Sequence, residues 1–191
     1  METIQEEILV SLQMVRGLLS GAFREGVDVR SMLGSFGIPP SVLDQPTAKI
    51  SADKVSALLF ALSRHLDDEM IGLAFNKIPH GSCHMMCHAI LPCRTLGQAM
   101  DRSVKFYALV EKPLSVNVYR DGGDFVMKII DDDYREPKQI ASEMILAIVY
   151  QQSNWLAGRT IPLTEVSFKY PMQMTNFDYL NIFNGAPLVV G

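Results

Sequence analysis

Positive charge is in short supply in this chain. Its 191 residues hold 17 Lys+Arg against 21 Asp+Glu, a formal net charge of −4. Phosphate contacts need clustered Lys and Arg, so a free-standing nucleic-acid binder is disfavoured. Cysteine is scarce as well. Cys83, Cys87 and Cys93 are odd in number and lie within one short stretch, which points to reduced thiols in a cytoplasm rather than a disulfide framework. No Cys-x-x-Cys pair exists, and no histidine follows His88. Long apolar runs are missing too. The longest uncharged stretch in an apolar segment, Ile78–Cys93, contains Pro79, Gly81, Pro92 and three histidines, so it does not read as a membrane span. The start, Met-Glu-Thr-Ile-Gln-Glu-Glu, is acidic where a signal peptide is basic. No repeat or low-complexity tract appears, which excludes fibrous classes.

What is present fits a globular protein. The chain is 48% hydrophobic and 20% charged, which excludes disorder. The length predicts a single domain over 1–191 that buries roughly 70% of its unfolded surface and needs no disulfide or metal to fold.

Apolar spacing of three and four predicts helices over 2–20, 27–36, 51–66, 67–75, 82–91 and 95–110. Ser51 and the Thr95-Leu-Gly-Gln98 capping box mark two of the starts. Lys112-Pro113 marks a stop. The period then falls to two. Leu114, Val116 and Val118 face Phe125, Met127 and Ile129 across an Asp121-Gly-Gly-Asp124 turn, an antiparallel hairpin closed by Asp131-Asp132-Asp133. Pro137 suits a first helical turn. The run 140–156 is apolar nearly all round and reads as a central buried helix stopped by Gly158. Val166, Phe168 and Tyr170 alternate as a third strand, and 177–183 reads as a last helical turn. The expected fold class is therefore α+β: mostly helical, with a small antiparallel sheet (hairpin plus the later strand) packed against a long buried helix.

The sharpest chemical feature is His80-Gly-Ser-Cys83-His84-Met-Met-Cys87-His88, followed by Cys93. On a helix, His80, His84 and Cys87/His88 share a side, with Cys83 and Cys87 beside them. Imidazole and thiolate suit zinc or copper, so Cys83, His84, Cys87 and His88 form one alternative reading, a metal or redox sensor. Against it stand the missing Cys-x-x-Cys and the lack of any second ligand cluster downstream. Structural thiols in an apolar helix are the blander explanation. Catalysis has less support. No Gly-x-Ser-x-Gly elbow is present, neighbouring Cys and His face apart on a helix, and Asp121-Gly-Gly-Asp124 carries acids where a phosphate loop needs amides and Lys. Asp131-Asp132-Asp133 lacks the distal Glu of a calcium loop and reads as a solvated strand end. The polar end of the long helix, Tyr150, Gln151, Ser153, Asn154 and Trp155, can supply convergent polar groups to an apolar pocket.

The run from Gly81 to Leu109 then resembles a known family. Gly-Ser-Cys-His-Met-Met-Cys-His, Thr95-Leu-Gly-Gln-Ala-Met100 and Lys105-Phe-Tyr107 are similar to successive motifs of the N-terminal effector domain of AraC-type transcription regulators, in the branch called the arabinose-binding-domain type. Cys83 stands where that branch usually has an aromatic residue. Leu33-Gly-Ser-Phe-Gly-Ile-Pro-Pro, Ile161-Pro-Leu-Thr-Glu-Val-Ser-Phe and Phe183-Asn-Gly-Ala-Pro187 extend the resemblance over about 25–191.

The resemblance implies a cytoplasmic sensing and dimerisation domain, not an enzyme. Its partners would be a small-molecule effector and a second copy, with no cofactor and no membrane. DNA would be reached only through a helix-turn-helix half, and after Arg159 the one basic residue is Lys169. A small, largely apolar effector, one bearing a carboxylate included, is expected between the sheet, the 82–91 and 95–110 helices and the end of the long helix. Its expected contacts are His84, His88, Arg102, Tyr107, Tyr150 and Trp155.

Overall fold

Ser11 ties the first helix to the far end of the chain. Its Oγ accepts the amide of Met14 at 3.1 Å and donates to Asp178 Oδ2 at 2.5 Å, so it caps a helix and anchors it to a distant segment. The computed structural model describes residues 7–74, 76–110, 115–130 and 138–190. Strand β1 (Leu9–Ser11) pairs antiparallel with β2 (Lys49–Ser51) and runs straight into helix α1 (Leu12–Arg24). Among the described residues, the helix expected over 2–20 runs from Leu12, because Leu9–Ser11 are taken into a sheet. Leu12, Val15 and Leu19 face the core as their spacing predicts, whereas Ile8 is exposed.

Helix α2 (Val29–Leu33) continues into a 3-10 turn at Gly34–Phe36, and a second such turn covers Pro40–Asp44. Helix α3 (Ala52–Leu66) follows β2. Ser51 sits at its N-cap without a side-chain capping bond. The helix expected over 67–75 does not form in the described residues of that span. Asp68, 1% exposed, takes the amides of Met70, Gly72 and Ile78 onto its carboxylate at 3.0, 2.7 and 3.0 Å. Those side-chain bonds replace the helical ladder, the competition expected of Asp inside a helix. Met70, Ile71 and Leu73 are buried all the same, which is why their pattern imitated a helix.

Glu69 then receives the amides of Gly81 and Cys83, both at 2.8 Å, and so fixes the start of helix α4 (Ser82–Ile90). Helix α5 (Leu96–Val110) opens as expected: Gln98 N donates to Thr95 Oγ1 at 3.2 Å. The return bond comes from the amide of Arg94, one residue earlier than in a standard capping box, at 3.1 Å. Strands β3 (Ser115–Asp121) and β4 (Asp124–Ile130) form the predicted hairpin, with Val116 opposite Ile129 and Val118 opposite Met127. Residues 2–6, Phe75, Lys112-Pro113, Leu114, Asp131-Asp132-Asp133 and Pro137 lie outside the described residues.

Helix α6 (Lys138–Ala157) is long but not buried throughout. Ile140–Glu143 are buried, Met144–Ala147 half-buried and Ile148 exposed. Its apolar surface wraps further round than the core can cover. Strand β5 (Val166–Phe168) does not join the hairpin. It pairs in parallel with β6 (Leu188–Val190), beyond helix α7 (Asn176–Ile182). The α+β, mostly helical class holds, with its strands divided among three two-stranded sheets.

The main core gathers α1, α2, α3, the 68–78 segment, the N-terminal part of α6, and Phe168, Tyr179 and Phe183. Glu143 lies inside it, fully buried, accepting the Tyr179 hydroxyl at 2.7 Å and the Gln173 amide at 3.2 Å. Burial pushes its carboxyl up to about 7 from 4.5, although both hydrogen bonds favour the charged form. The native state therefore holds a proton that the unfolded chain releases between those values. Stability should fall as pH rises from about 4.5 to 7, by on the order of 3 kcal/mol, and then level off. Urea unfolding at stepped pH checks this, and Glu143→Gln should flatten the slope.

Candidate ligand cleft

A second, smaller core sits where α4, α5 and the end of α6 meet. Met86, Ile90 and Ala99 are its buried centre, with Cys83, Cys87, Cys93, Phe106, Tyr107 and Leu156 packed around them. Each helix supplies an apolar stripe, as the three- and four-residue spacing requires. Polar groups thread this core. Ser103 Oγ donates to Ala99 O at 3.0 Å, and Gln152 Nε2 reaches Cys87 Sγ at 3.5 Å. Burial, with Cys83 as the next cause, pushes the Tyr107 hydroxyl well up. Burial first, then Cys87 and Glu69, push the Cys83 thiol up to about 11. A thiol held that high is a packing group and not a nucleophile.

Beside this core opens a half-enclosed cleft of about 330 Å³, at the small end of the ligand-pocket range. The end of α4 gives Ile90 and Leu91. The turn before α5 gives Cys93, Arg94 and Thr95, and α5 itself gives Leu96 and Ala99. The end of α6 gives Trp155, Leu156 and Ala157. The lining residues are mostly aliphatic, joined by one indole, one guanidinium, one hydroxyl and one thiol, and the surface they expose is as polar as it is apolar. Arg94 makes no ion pair among the described residues. The Trp155 side chain is 63% exposed, a large aromatic surface left uncovered beside the cleft.

Of the six residues expected to contact an effector, Trp155 borders this cleft. Tyr107 lies in the adjoining small core. Arg102 spans from α5 to α4, donating to the Ala89 carbonyl at 2.7 Å. Tyr150 is buried in the main core, where its hydroxyl donates to Ile161 O and accepts from Asn184 Nδ2, both at 2.9 Å. His84 and His88 stand on the exposed side of α4, with Nε2 atoms 3.1 Å apart. His80 is not part of α4. Its ring packs edge-on against Phe60, and Nδ1 lies 3.4 Å from Ser63 Oγ.

The four-ligand set Cys83, His84, Cys87 and His88 is therefore divided by the helix. Its thiols turn toward Tyr107 and Gln152, its imidazoles toward solvent. Among the described residues no group of three or more His, Cys, Asp or Glu could hold a metal ion. Arg94, Thr95, Leu91 and Leu96 were not expected from the sequence to contact an effector. The available signal was the capping box that starts α5 directly after an arginine, which puts a helix N-terminus beside a cation.

The chain matches the family described as the arabinose-binding domain of AraC transcription regulator, N-term, over residues 26–190. The chain belongs to this family. Among curated proteins, the AraC-family chain is similar to the ornithine utilization regulator of Pseudomonas aeruginosa, 22% identical over 180 residues. That alignment covers 93% of this chain and 53% of the relative, so the chain spans about half the relative's length. The family is one of transcription-regulator domains and not an enzyme class. No helix among the described residues is long and apolar enough to cross a membrane.

Proposed function

We propose that this domain senses a small effector in the cleft between α4, α5 and α6, and that occupancy biases the regulator between two states. The observation that carries the reading is the cleft itself: three helix ends from separate parts of the chain leave a hollow with aliphatic residues, an uncovered indole and an Arg94 that makes no ion pair among the described residues. That mixed lining fits a small molecule that joins an apolar part to a carboxylate. Charge-assisted hydrogen bonds to Arg94 would orient it, and Leu91, Leu96 and Leu156 would cover its apolar part. The relative's name ties it to ornithine use, so the first panel sets apolar α-amino acids, which suit this lining, against ornithine, whose ammonium groups would meet Arg94 and no lining acid. A differential affinity of about 1–3 kcal/mol between the two states is enough to regulate. Dimerisation, a cytoplasmic setting and DNA contact through a further domain complete the reading and rest on family membership.

Trp155 is the single tryptophan of the chain, so its fluorescence reports the cleft without a label. Titration with the panel should give a saturable blue shift for one carboxylate-bearing member. Arg94→Ala should weaken that member about tenfold or more. Leu91→Arg, at an exposed position, should abolish the shift without loss of fold. Wild-type titrations in both variants would overturn the assignment.

A further inference from the structure

We propose that His84 and His88 form a two-imidazole clamp for a divalent transition-metal ion on the outer face of α4. The two residues are one helical turn apart, and their rings meet edge to face with centroids 4.6 Å apart. The two Nε2 atoms lie 3.1 Å apart, close enough for one ring to donate its proton to the other. A metal at about 2.0–2.1 Å from each nitrogen would sit to one side of the line that joins them. The 3.1 Å separation then subtends roughly 95–100° at the metal, between the cis angle of a tetragonal site and the tetrahedral angle. The helix therefore already holds the two donor atoms at a chelating separation.

Both side chains are exposed, so an ion can arrive and keep water in its remaining positions. No third protein ligand joins them among the described residues. The donor chemistry selects Cu(II), Ni(II) or Zn(II) over Mg(II) or Ca(II), because neutral imidazole suits the former and carboxylate or carbonyl oxygen the latter. This clamp is separate from the four-ligand set, whose thiols face inward, and does not depend on the effector reading.

Titration calorimetry with NiCl2 on untagged protein near pH 7.5 tests it. One equivalent should bind, and MgCl2 should give no saturable heat. His84→Ala and His88→Ala should each weaken Ni(II) about tenfold or more, since each leaves a single imidazole. Cys87→Ala should bind as the wild type. Far-UV circular dichroism checks that the variants stay folded. Overturning results are the absence of saturable Ni(II) binding, histidine variants that bind like wild type, or a loss in Cys87→Ala equal to theirs.

Discussion

A valine at Gly21 is expected to cost about 3 kcal/mol or more, the upper range for forcing atoms into a packed interior. A Cβ built there lies 2.3 Å from the Ile71 carbonyl oxygen, 2.6 Å from Gly72 C and 2.8 Å from Leu73 N. All three are backbone atoms, so no side chain can rotate aside. Gly72 answers from the other side, with φ +80° and its own missing Cβ 2.8 Å from the Gly21 oxygen. The two glycines let α1 and the 68–78 segment touch backbone to backbone, and the Arg24 guanidinium closes the contact on the Gly72 carbonyl. Thermal unfolding should show Gly21→Val melting about 6–12 °C lower. An unchanged melting point would mean the two segments do not meet this closely.

Asp68→Ala carries the second large effect. Its carboxylate is the acceptor for three amides, and alanine leaves Met70, Gly72 and Ile78 N–H groups buried without partners. At about 1–3 kcal/mol per unsatisfied group, with some relaxation, the loss should be about 3–5 kcal/mol. Asp68→Asn keeps one acceptor and should fall between. The consequence reaches the cleft, because the same segment presents Glu69 to the amides that begin α4. Hydrogen exchange should show lost protection at Met70, Gly72 and Ile78 first, then at the start of α4. Protection retained at those amides would contradict this account of the segment.

The same region shows where sequence reading stops. Hydrophobic spacing located α3, α4, α5, α6, α7 and the hairpin, because each carries enough apolar positions to fix its own period. It failed at 67–75, where three buried apolar side chains matched a helix while one aspartate had redirected the backbone amides. Strands β1, β2 and β6 have three residues each. Their conformation comes from long-range pairing and leaves almost no local pattern. The His/Cys cluster was conspicuous in sequence, yet the helix sends its thiols and imidazoles to different sides. The cleft was the harder feature. Its wall joins 90–99 to 155–157, and only the packing of α6 on α4 and α5 makes them one surface. Trp155 was legible as an aromatic at a polar helix end. Arg94 was not, because a single arginine in a turn has no pattern of its own.

The claim that this AraC-family domain senses an effector in the α4–α5–α6 cleft is tested most directly by mapping the bound molecule. Amide resonances of labelled protein would be followed while the amino acid that shifts Trp155 fluorescence is added. The account predicts perturbations centred on Leu91–Gln98 and Trp155–Ala157, with the main-core residues around Tyr179 unmoved. Saturable binding with its shifts centred elsewhere, and the cleft unmoved, would contradict it.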